Sequence, residues 1–209
     1  MDYLSIIITV AIIHLLGVAS PGPDFIMTAR NSLKYSTKTG VYSAVGLGLS
    51  TFTHVAYCLA GVAVIISQSI FLFNIIKFIG AGYLIYIGYK SLKSKTSELS
   101  IVEEHLRKDI SKFEAIKIGF LTDILNPKAT LLFLSIFTVV ITPHTPLWAK
   151  TFMWFEMSVV TFLWYAFVAF IVSHKLVKSR IVNIQHYAEK FIGVVLIALG
   201  IKVALSTSK

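Results

Sequence analysis

The residues with the clearest chemical capacity lie in the stretch ASPGPDFIMT, residues 19–28, where two prolines flank a glycine and an acid follows. Proline lacks a backbone N–H and clashes with the preceding turn, so Pro21 and Pro23 leave carbonyl groups of an apolar helix without partners. Lipid cannot satisfy such carbonyls, whereas a bound solute, ion or water can. This pattern predicts a polar site inside an otherwise apolar segment.

Asp24 follows this break directly. A carboxylate at membrane depth is costly unless it is paired, protonated or hydrated, which suits it to lining a site and carrying a coupling proton. The alternative is that Asp24 caps the helix that restarts after the prolines, because acids favour helix N-termini. The two roles are compatible.

A second proline cluster reads LNPK at residues 125–128. Asn126 offers an amide donor and an acceptor that suit an amino or a carboxylate group. Lys128 could pair with Asp24, with Asp123 or with a substrate carboxylate. A purely structural ion pair with Asp123 is the alternative.

Further polar residues lie inside apolar runs. His54 and His14 could each shuttle a proton, although a hydrogen-bonded core histidine is the commoner arrangement. Lys77 can extend its amine to the membrane interface, which favours a structural role. Glu156 reaches the interface less easily, so a position facing the cavity is an equal alternative for it. The tryptophans and tyrosines fit interfacial belts and core filling, and we give them no substrate role.

Composition indicates that lipid is the solvent for most of the chain. Of its 209 residues, 56% are hydrophobic and 14% are charged, against about 45–50% and about 25% in soluble domains. The formal charge is +9, but the basic residues lie between the apolar runs, which indicates orientation in a membrane rather than a nucleic-acid partner. Cys58 is the only cysteine, so no intrachain disulfide forms. The N-terminal run carries Asp2 and no basic residue before its apolar part, which disfavours a cleaved signal peptide.

Six stretches reach or approach the roughly 20 apolar residues that a membrane helix needs. They are residues 3–22, 40–66, 69–92, 118–141, 147–173 and 189–206. Most of the 19 lysines and arginines lie in the first, third and fifth gaps between these runs. The positive-inside rule therefore predicts that these gaps are cytoplasmic and that both termini are periplasmic, outside the membrane.

The third gap is long enough for structure of its own. Ser100 and Glu103 have the spacing of a helix-capping box. Apolar residues then follow at helical spacing, namely Leu106, Ile110, Phe113 and Ile116. We expect a short amphipathic helix on the cytoplasmic surface; a solvated linker helix is the alternative.

Two stretches indicate an internal duplication. KFIGAGYLIYIGYK, residues 77–90, and KFIGVVLIALGIK, residues 190–202, start with the same four residues and end on Gly-x-Lys. A similar offset places Pro21 opposite Pro127. Because three helices per repeat is an odd number, the second copy must enter the membrane from the other side, as in the inverted repeats of many secondary transporters. The alternative is that the prolines only kink helices for packing.

The predicted fold class is an all-α integral membrane protein of six transmembrane helices, arranged as two inverted three-helix repeats with broken first helices. A single membrane domain covers residues 1–209. Residues 1–92 form the first repeat, residues 93–117 a cytoplasmic linker with the amphipathic helix, and residues 118–209 the second repeat.

Four motifs, in order along the chain, resemble the lysine exporter/homoserine–threonine resistance (LysE/RhtB) family. They are SPGPDF, GVYSAVGLGLSTFTHVAYCLAGVAV, KFIGAGYLIYIGYKSL and LNPKATLLFL. The resemblance covers nearly the whole chain and implies a small bacterial inner-membrane protein that exports amino acids or related metabolites. Three positions depart from it: Ser50 replaces a frequent glycine four residues before His54, Thr51 a frequent acid, and Asp123 a frequent amide. These departures affect the substrate and the coupling carboxylate rather than the fold.

We therefore expect a secondary active transporter that exports an amino acid or close derivative, of the threonine, homoserine, leucine or lysine type, across the bacterial inner membrane by proton antiport. The direction of transport follows from the resemblance alone. A metal or other ion carrier is the alternative. A membrane-embedded enzyme would need a nucleophile with a base, or a paired metal motif, and the sequence has neither; we therefore expect no enzymatic activity.

The expected partners are an amino-acid substrate, protons and the lipid bilayer, without nucleic acid or cofactor. Small residues at four-residue spacing, Gly40, Ala44 and Gly48, allow close helix packing and permit a homodimer. We expect no catalytic residue and no metal ligand. The predicted substrate-binding or coupling residues are Pro21, Gly22, Pro23, Asp24, His54, Asp123, Asn126, Pro127, Lys128 and Glu156.

Overall fold

The structure is a computed structural model that describes residues 3–68, 70–93, 108–140, 145–174, 190–191, 193–198, 200–201 and 204–205. Seven helices are assigned in these ranges: α1 (Tyr3–Ala19), α2 (Pro23–Lys34), α3 (Thr37–Gln68), α4 (Ile70–Lys93), α5 (Lys112–Ile124), α6 (Pro127–Val140) and α7 (Leu147–Ser173). The described residues from 190 onward are also helical, and we call them the C-terminal helical residues. The all-α class is therefore confirmed for this part of the chain.

The first proline cluster separates two helices whose axes bend by 56°. Gly22 is the N-cap of α2 in an extended conformation, with φ −170° and ψ −168°. Pro23 occupies the first helical position, where a missing N–H costs nothing. The predicted first span ended at residue 22, but the chain is helical again as far as Lys34. Arg30, which follows the first predicted span, therefore lies in α2. The reason is that proline disfavours the interior of a helix but suits its first position.

The second proline cluster separates α5 from α6 in the same way, with a bend of 62°. Leu125 is the C-cap of α5, and α6 begins at Pro127. Both proline clusters thus interrupt helices, and the chain resumes a helix within three residues of each interruption. This arrangement places backbone polar groups of both breaks inside the helix bundle.

Helix α5 begins earlier than the predicted fourth span. The Ser111 hydroxyl caps it by accepting a hydrogen bond from the backbone N–H of Glu114 at 3.1 Å. Residues 108–111 are not helical, so Phe113 and Ile116 belong to α5 rather than to a separate linker helix. The predicted capping box upstream lies outside the described residues.

Among the described residues, two helices are long and apolar enough to cross a membrane, Thr37–Gly61 within α3 and Leu147–Ser173. The number rises to four if each bent pair counts as one span. These segments overlap the first, second, fourth and fifth predicted spans. The chain is therefore a multi-pass membrane protein, and the total of six spans stays a prediction.

Glycines bring α3 and α5 into backbone contact. A Cβ atom added at Gly46 would lie 2.7 Å from the backbone nitrogen of Phe120, and one added at Gly119 would lie 2.9 Å from the carbonyl carbon of Ser43. Such contacts are possible only because one of the two residues is glycine and has no side chain, and close packing of this kind holds helices together in lipid. The pair α3 and α5 therefore forms a tightly packed part of the bundle.

The predicted stripe of small residues on α3 packs against another helix of the same chain. A Cβ atom at Gly40 would lie 2.9 Å from the Ala169 side chain, and one at Gly48 would lie 3.1 Å from the Ser158 carbonyl oxygen, both on α7. Ala44 between them is fully buried. The stripe packs α3 on α7 and so gives no support to the expected homodimer.

Helix α4 lies against the C-terminal helical residues. A Cβ atom at Gly88 would lie 2.6 Å from the Gly193 carbonyl oxygen, and one at Gly200 would lie 2.8 Å from the Ala81 carbonyl oxygen. All four of these residues belong to the two duplicated stretches read from the sequence. The two stretches therefore pack on each other, backbone against backbone.

Candidate functional site

A cavity lies where the two helix breaks meet. It comprises about 350 Å³ of unfilled space including its opening. Its walls come from six helices and the breaks between them: Gly17, Val18, Ser20, Asp24, Thr51, Asp123, Asn126, Lys128, Ala129, Leu132, Phe133, Thr161 and Tyr165. Four predicted site residues, Asp24, Asp123, Asn126 and Lys128, are thus brought together here.

Asp24 and Asn126 connect the two breaks directly. The Asn126 side-chain amide donates a hydrogen bond to Asp24 Oδ2 at 3.0 Å. The other end of the same amide, Oδ1, accepts from the backbone N–H of Lys128 at 3.0 Å and so caps the restarted helix α6. Asp24 Oδ1 is buried and has no hydrogen-bond partner among the described residues.

Lys128 fills the first break. Its Nζ donates to the Ser20 carbonyl at 2.8 Å, to the Ser20 hydroxyl at 3.0 Å and to the Pro21 carbonyl at 3.3 Å. It also interacts electrostatically with Asp24. A Cβ atom at Gly22 would lie 3.2 Å from this Nζ, so glycine leaves room for the ammonium group.

Two more backbone carbonyls at the breaks have side-chain hydrogen-bond partners, one on α7 and one on α3. The Tyr165 hydroxyl on α7 donates to the Val18 carbonyl at 3.0 Å. His54 Nε2 on α3 lies 3.2 Å from the carbonyl oxygen of Asp123, whose usual helical donor four residues later would be Pro127, which has no N–H. We expected a bound solute to provide the hydrogen-bond partners of the break carbonyls. At these positions that expectation is wrong, because side chains of the protein itself provide them.

Asp123 stands between the cavity and His54. Its Oδ2 lies 3.6 Å from His54 Nε2 and has no hydrogen-bond partner among the described residues. It also interacts electrostatically with Asp24. His54 itself is fully buried behind Asp123 and does not line the cavity. Its Nδ1 contacts the Tyr57 hydroxyl.

Among the polar residues of the cavity wall, three were not singled out from the sequence: Thr161, Tyr165 and Ser20. Thr161 accepts a hydrogen bond from Thr51 at 3.1 Å, and its hydroxyl lies 3.1 Å from His14 Nε2. Thr161 and Tyr165 are polar residues four apart in an apolar helix, so they share one helix face. That spacing was the available signal. Tyr165 is buried in the core, as expected of the tyrosines, and it also lines the cavity.

The remaining predicted residues lie beside the cavity or away from it. Pro21, Gly22 and Pro23 shape the first break without lining the cavity, and Pro127 begins α6. Glu156 is half-buried on α7 and does not line the cavity, although its Oε2 is buried without a hydrogen-bond partner among the described residues.

Comparison with known proteins gives relatives over nearly the full length. YrhP of Bacillus subtilis strain 168, an uncharacterized membrane protein, is 29% identical over 198 residues, covering 90% of this chain and 93% of that protein. YahN of Escherichia coli K12, also an uncharacterized membrane protein, is 25% identical over 197 residues, covering 94% and 87%. The threonine efflux protein of Escherichia coli K12 is 24% identical over 204 residues, covering 97% and 99%.

No solved structure matches this chain. The sequence model of the LysE type translocators, in contrast, matches residues 15–207. That match includes both proline breaks and every residue that lines the cavity. The chain therefore belongs to the LysE type translocator family, a family of membrane transporters rather than enzymes.

Proposed function

We propose that this protein is a secondary active transporter that exports an amino acid or close derivative, of the threonine, homoserine, leucine or lysine type, across the bacterial inner membrane by proton antiport. The translocator family and the relatives named threonine efflux proteins support this class of substrate. The observation that carries the proposal is the Asp24–Asn126 hydrogen bond, which joins two helix breaks at one cavity with two buried carboxyl groups.

A zwitterionic amino acid matches the polar groups of this cavity. Asp24 Oδ1 and Asp123 Oδ2 are buried acceptors that lack hydrogen-bond partners among the described residues, so the substrate's ammonium group binds between them. Its carboxylate lies toward the starts of α2 and α6, where helix N-termini favour an anion. Lys128 stays on the break carbonyls and adds positive charge beside that carboxylate.

The two carboxyl groups also supply a means of coupling. Two carboxylates in one poorly hydrated cavity repel each other strongly, so the site favours one positive charge, either a proton or an ammonium group. A proton that enters from outside therefore weakens the binding of the amino acid, and an amino acid that enters from inside displaces the proton. This competition is what antiport requires.

The helix contacts support an inverted-repeat architecture. Helix α1 packs on α6 and α7, and α5 packs on α2 and α3. Exchanging α1 with α5, α2 with α6 and α3 with α7 converts each of these pairs into another observed pair. The contact of Gly88 with Gly193 fits the same exchange, because it joins the two duplicated stretches. We propose six spans in two inverted repeats on this basis.

The basic ends of several helices gather at one end of the bundle, which we assign to the cytoplasm. Asp109, just before α5, accepts from Ser36 at 3.0 Å and from Thr39 at 3.2 Å, at the start of α3. The Lys112 ammonium lies over the Tyr42 ring at 5.7 Å. Together with the positive-inside rule, this supports our proposal that both termini lie outside.

The test uses purified protein in liposomes loaded in parallel with labelled threonine, homoserine, leucine or lysine. We expect efflux of at least one of them, accelerated when the outside is more acidic than the inside. Asp24→Asn and Asp123→Asn should each reduce this efflux by about tenfold or more, since each removes a charge from a poorly hydrated site. Glu114→Gln, an exposed carboxylate outside the cavity, is the control that should leave efflux unchanged.

The other outcomes distinguish the alternatives. Uptake or release of a divalent metal without amino-acid flux would favour the ion carrier, although no three His, Cys, Asp or Glu side chains of the described chain come together as a metal site. Amino-acid efflux that does not respond to a pH gradient would contradict proton antiport while leaving export intact.

A further inference from the structure

Three polar side chains form a line that leads from the cavity toward the protein surface. Asp123 Oδ2 lies 3.6 Å from His54 Nε2, and His54 Nδ1 contacts the Tyr57 hydroxyl. Asp123 and His54 are buried, whereas Tyr57 is 41% exposed. Each group is able to hold and pass a proton, and both ring nitrogens of the histidine are engaged, one on each side.

The surroundings of His54 isolate this line from other proton carriers. Phe133 of α6 stacks on the imidazole with ring centroids 5.0 Å apart, and it separates His54 from His14 on α1. The titratable groups that face His54 among the described residues are Tyr57 of its own helix and Asp123 of α5.

The charged groups that line the cavity together with Asp123 are Asp24 of α2 and Lys128 of α6, and Asp24 interacts with it electrostatically. Tyr165 of α7 also lines that side, with its hydroxyl bound to the Val18 carbonyl. Asp123 thus lines the cavity and also lies beside His54.

The position of His54 and Tyr57 along α3 shows toward which side of the membrane the line leads. Tyr57 lies one turn beyond His54 toward the end of the helix at Gln68, away from the end at Thr37 where the basic helix ends gather. Thr130 of α6 lies beside the Tyr57 hydroxyl as well. The line therefore leads to the side that we assign to the outside of the membrane.

We propose that Tyr57 and His54 carry protons between the outer face and Asp123, which makes Asp123 rather than Asp24 the carboxyl group that couples. This inference rests on the proposed proton antiport and identifies its proton route. In the inward step the Tyr57 O–H proton moves to His54 Nδ1, and a proton from outside water replaces it on the phenol oxygen. The Nε2 proton then moves to the Asp123 carboxylate, and tautomer exchange of the neutral imidazole restores the starting state.

A structural role for His54 requires less than this. The hydrogen bond from Nε2 to the Asp123 carbonyl could be supplied by any neutral amide of similar reach. Glutamine has such a donor but cannot relay a proton between two sides of a ring. His54→Gln therefore separates a structural role from a relay role, and Tyr57→Phe removes the outer member of the line.

The experiment compares two modes of transport in the same liposomes, with whichever of labelled threonine, homoserine, leucine or lysine the wild type exports. The first mode is net efflux driven by an acidic exterior, which requires proton uptake. The second is exchange of internal labelled for external unlabelled amino acid at equal pH, which requires no net proton movement. His54→Gln should lower net efflux by about tenfold or more, in keeping with the usual contribution of a proton-transfer group, and leave exchange within about twofold of wild type.

Tyr57→Phe should also lower net efflux while leaving exchange within about twofold of wild type, but with a smaller loss, because water can take the place of the hydroxyl at this 41% exposed residue. His174→Gln, the same change at an exposed histidine after α7, should alter neither mode. Equal loss of both modes in His54→Gln would overturn the relay in favour of a positioning role, and unchanged net efflux would overturn it outright. If wild-type efflux itself ignores the pH gradient, the failure lies with the proposed antiport and not with the assignment of His54 alone.

Discussion

The Asn126 side-chain amide donates to the Asp24 carboxylate at 3.0 Å, although the two residues are 102 positions apart in the chain. Each residue lies next to a proline that ends or begins a helix. Their hydrogen bond therefore fixes the relative position of the two helix breaks, and with it the shape of the cavity between them.

Breaking this bond should reduce both stability and transport. Asn126→Ala leaves a buried carboxylate without its donor and removes the cap of α6, which should lower the free energy of unfolding by about 2 kcal/mol. Thermal unfolding of the purified protein in detergent measures the first effect, and liposome efflux measures the second. Thr53→Ala, which removes an exposed hydroxyl bound only within its own helix, should change neither; an Asn126→Ala protein as stable and active as wild type would contradict the role of the bond.

Gly22 should matter for transport more than for stability. A methyl group there would lie 3.2 Å from Lys128 Nζ, and the end of a lysine side chain can move aside at little cost. Gly22→Ala should therefore cost only about 1 kcal/mol at the helix N-cap while displacing the ammonium and lowering efflux by about threefold to tenfold. Gly61→Ala is the matched control, because a Cβ atom there meets nothing within 4 Å. Efflux of Gly22→Ala equal to that of the control would show that the position of Lys128 is unimportant.

Gly119 should be intolerant of any side chain. A Cβ atom there would press on the Ser43 backbone, which cannot move aside, so Gly119→Ala should destabilise the protein by about 1–3 kcal/mol. Gly82→Ala meets open space on α4 and should be neutral or slightly stabilising, because alanine favours helices. A melting temperature of Gly119→Ala at or above that of Gly82→Ala would contradict the close contact of α3 with α5.

The proposed orientation gives a labelling pattern. In a Cys58→Ala background, a cysteine at Leu147, at the exposed start of α7, should react with a membrane-impermeant thiol reagent added to intact cells. A cysteine at Phe113, at the exposed start of α5, should react only after the membrane is opened. The reverse pattern would place both termini in the cytoplasm and would turn the proposed proton route around.

The sequence predicted the breaks well because their cause is local. Proline removes a donor wherever it stands, so Pro21, Pro23 and Pro127 indicated interrupted helices without any knowledge of the fold. The same local rule predicted polar groups next to the breaks, and Asp24 and Asn126 do meet there. The rule did not predict that the chain becomes helical again directly after the first break. The fixed backbone angle of proline that disfavours the interior of a helix also suits its first position.

The partners of the break carbonyls could not be predicted, because they come from distant helices. Lys128 reaches Ser20 across 108 positions, and Tyr165 reaches Val18 across 147. The packing of all the neighbouring helices determines which face of an apolar helix lines a cavity. Glu156 was a candidate because its side chain reaches the membrane interface less easily than that of lysine, but it does not line the cavity.

Substrate protection of a cavity cysteine tests the central claim most directly. In the Cys58→Ala background, Ala129→Cys places a small thiol on the cavity wall, and Leu125→Cys places one on the 75% exposed residue outside it. The exported amino acid, at concentrations that saturate efflux, should slow the reaction of a small thiol reagent with Ala129→Cys by about tenfold, as expected when a bound ligand fills most of its pocket, and leave Leu125→Cys unaffected. An unchanged reaction rate at Ala129→Cys, in a variant that still exports, would show that the amino acid does not bind between the two helix breaks.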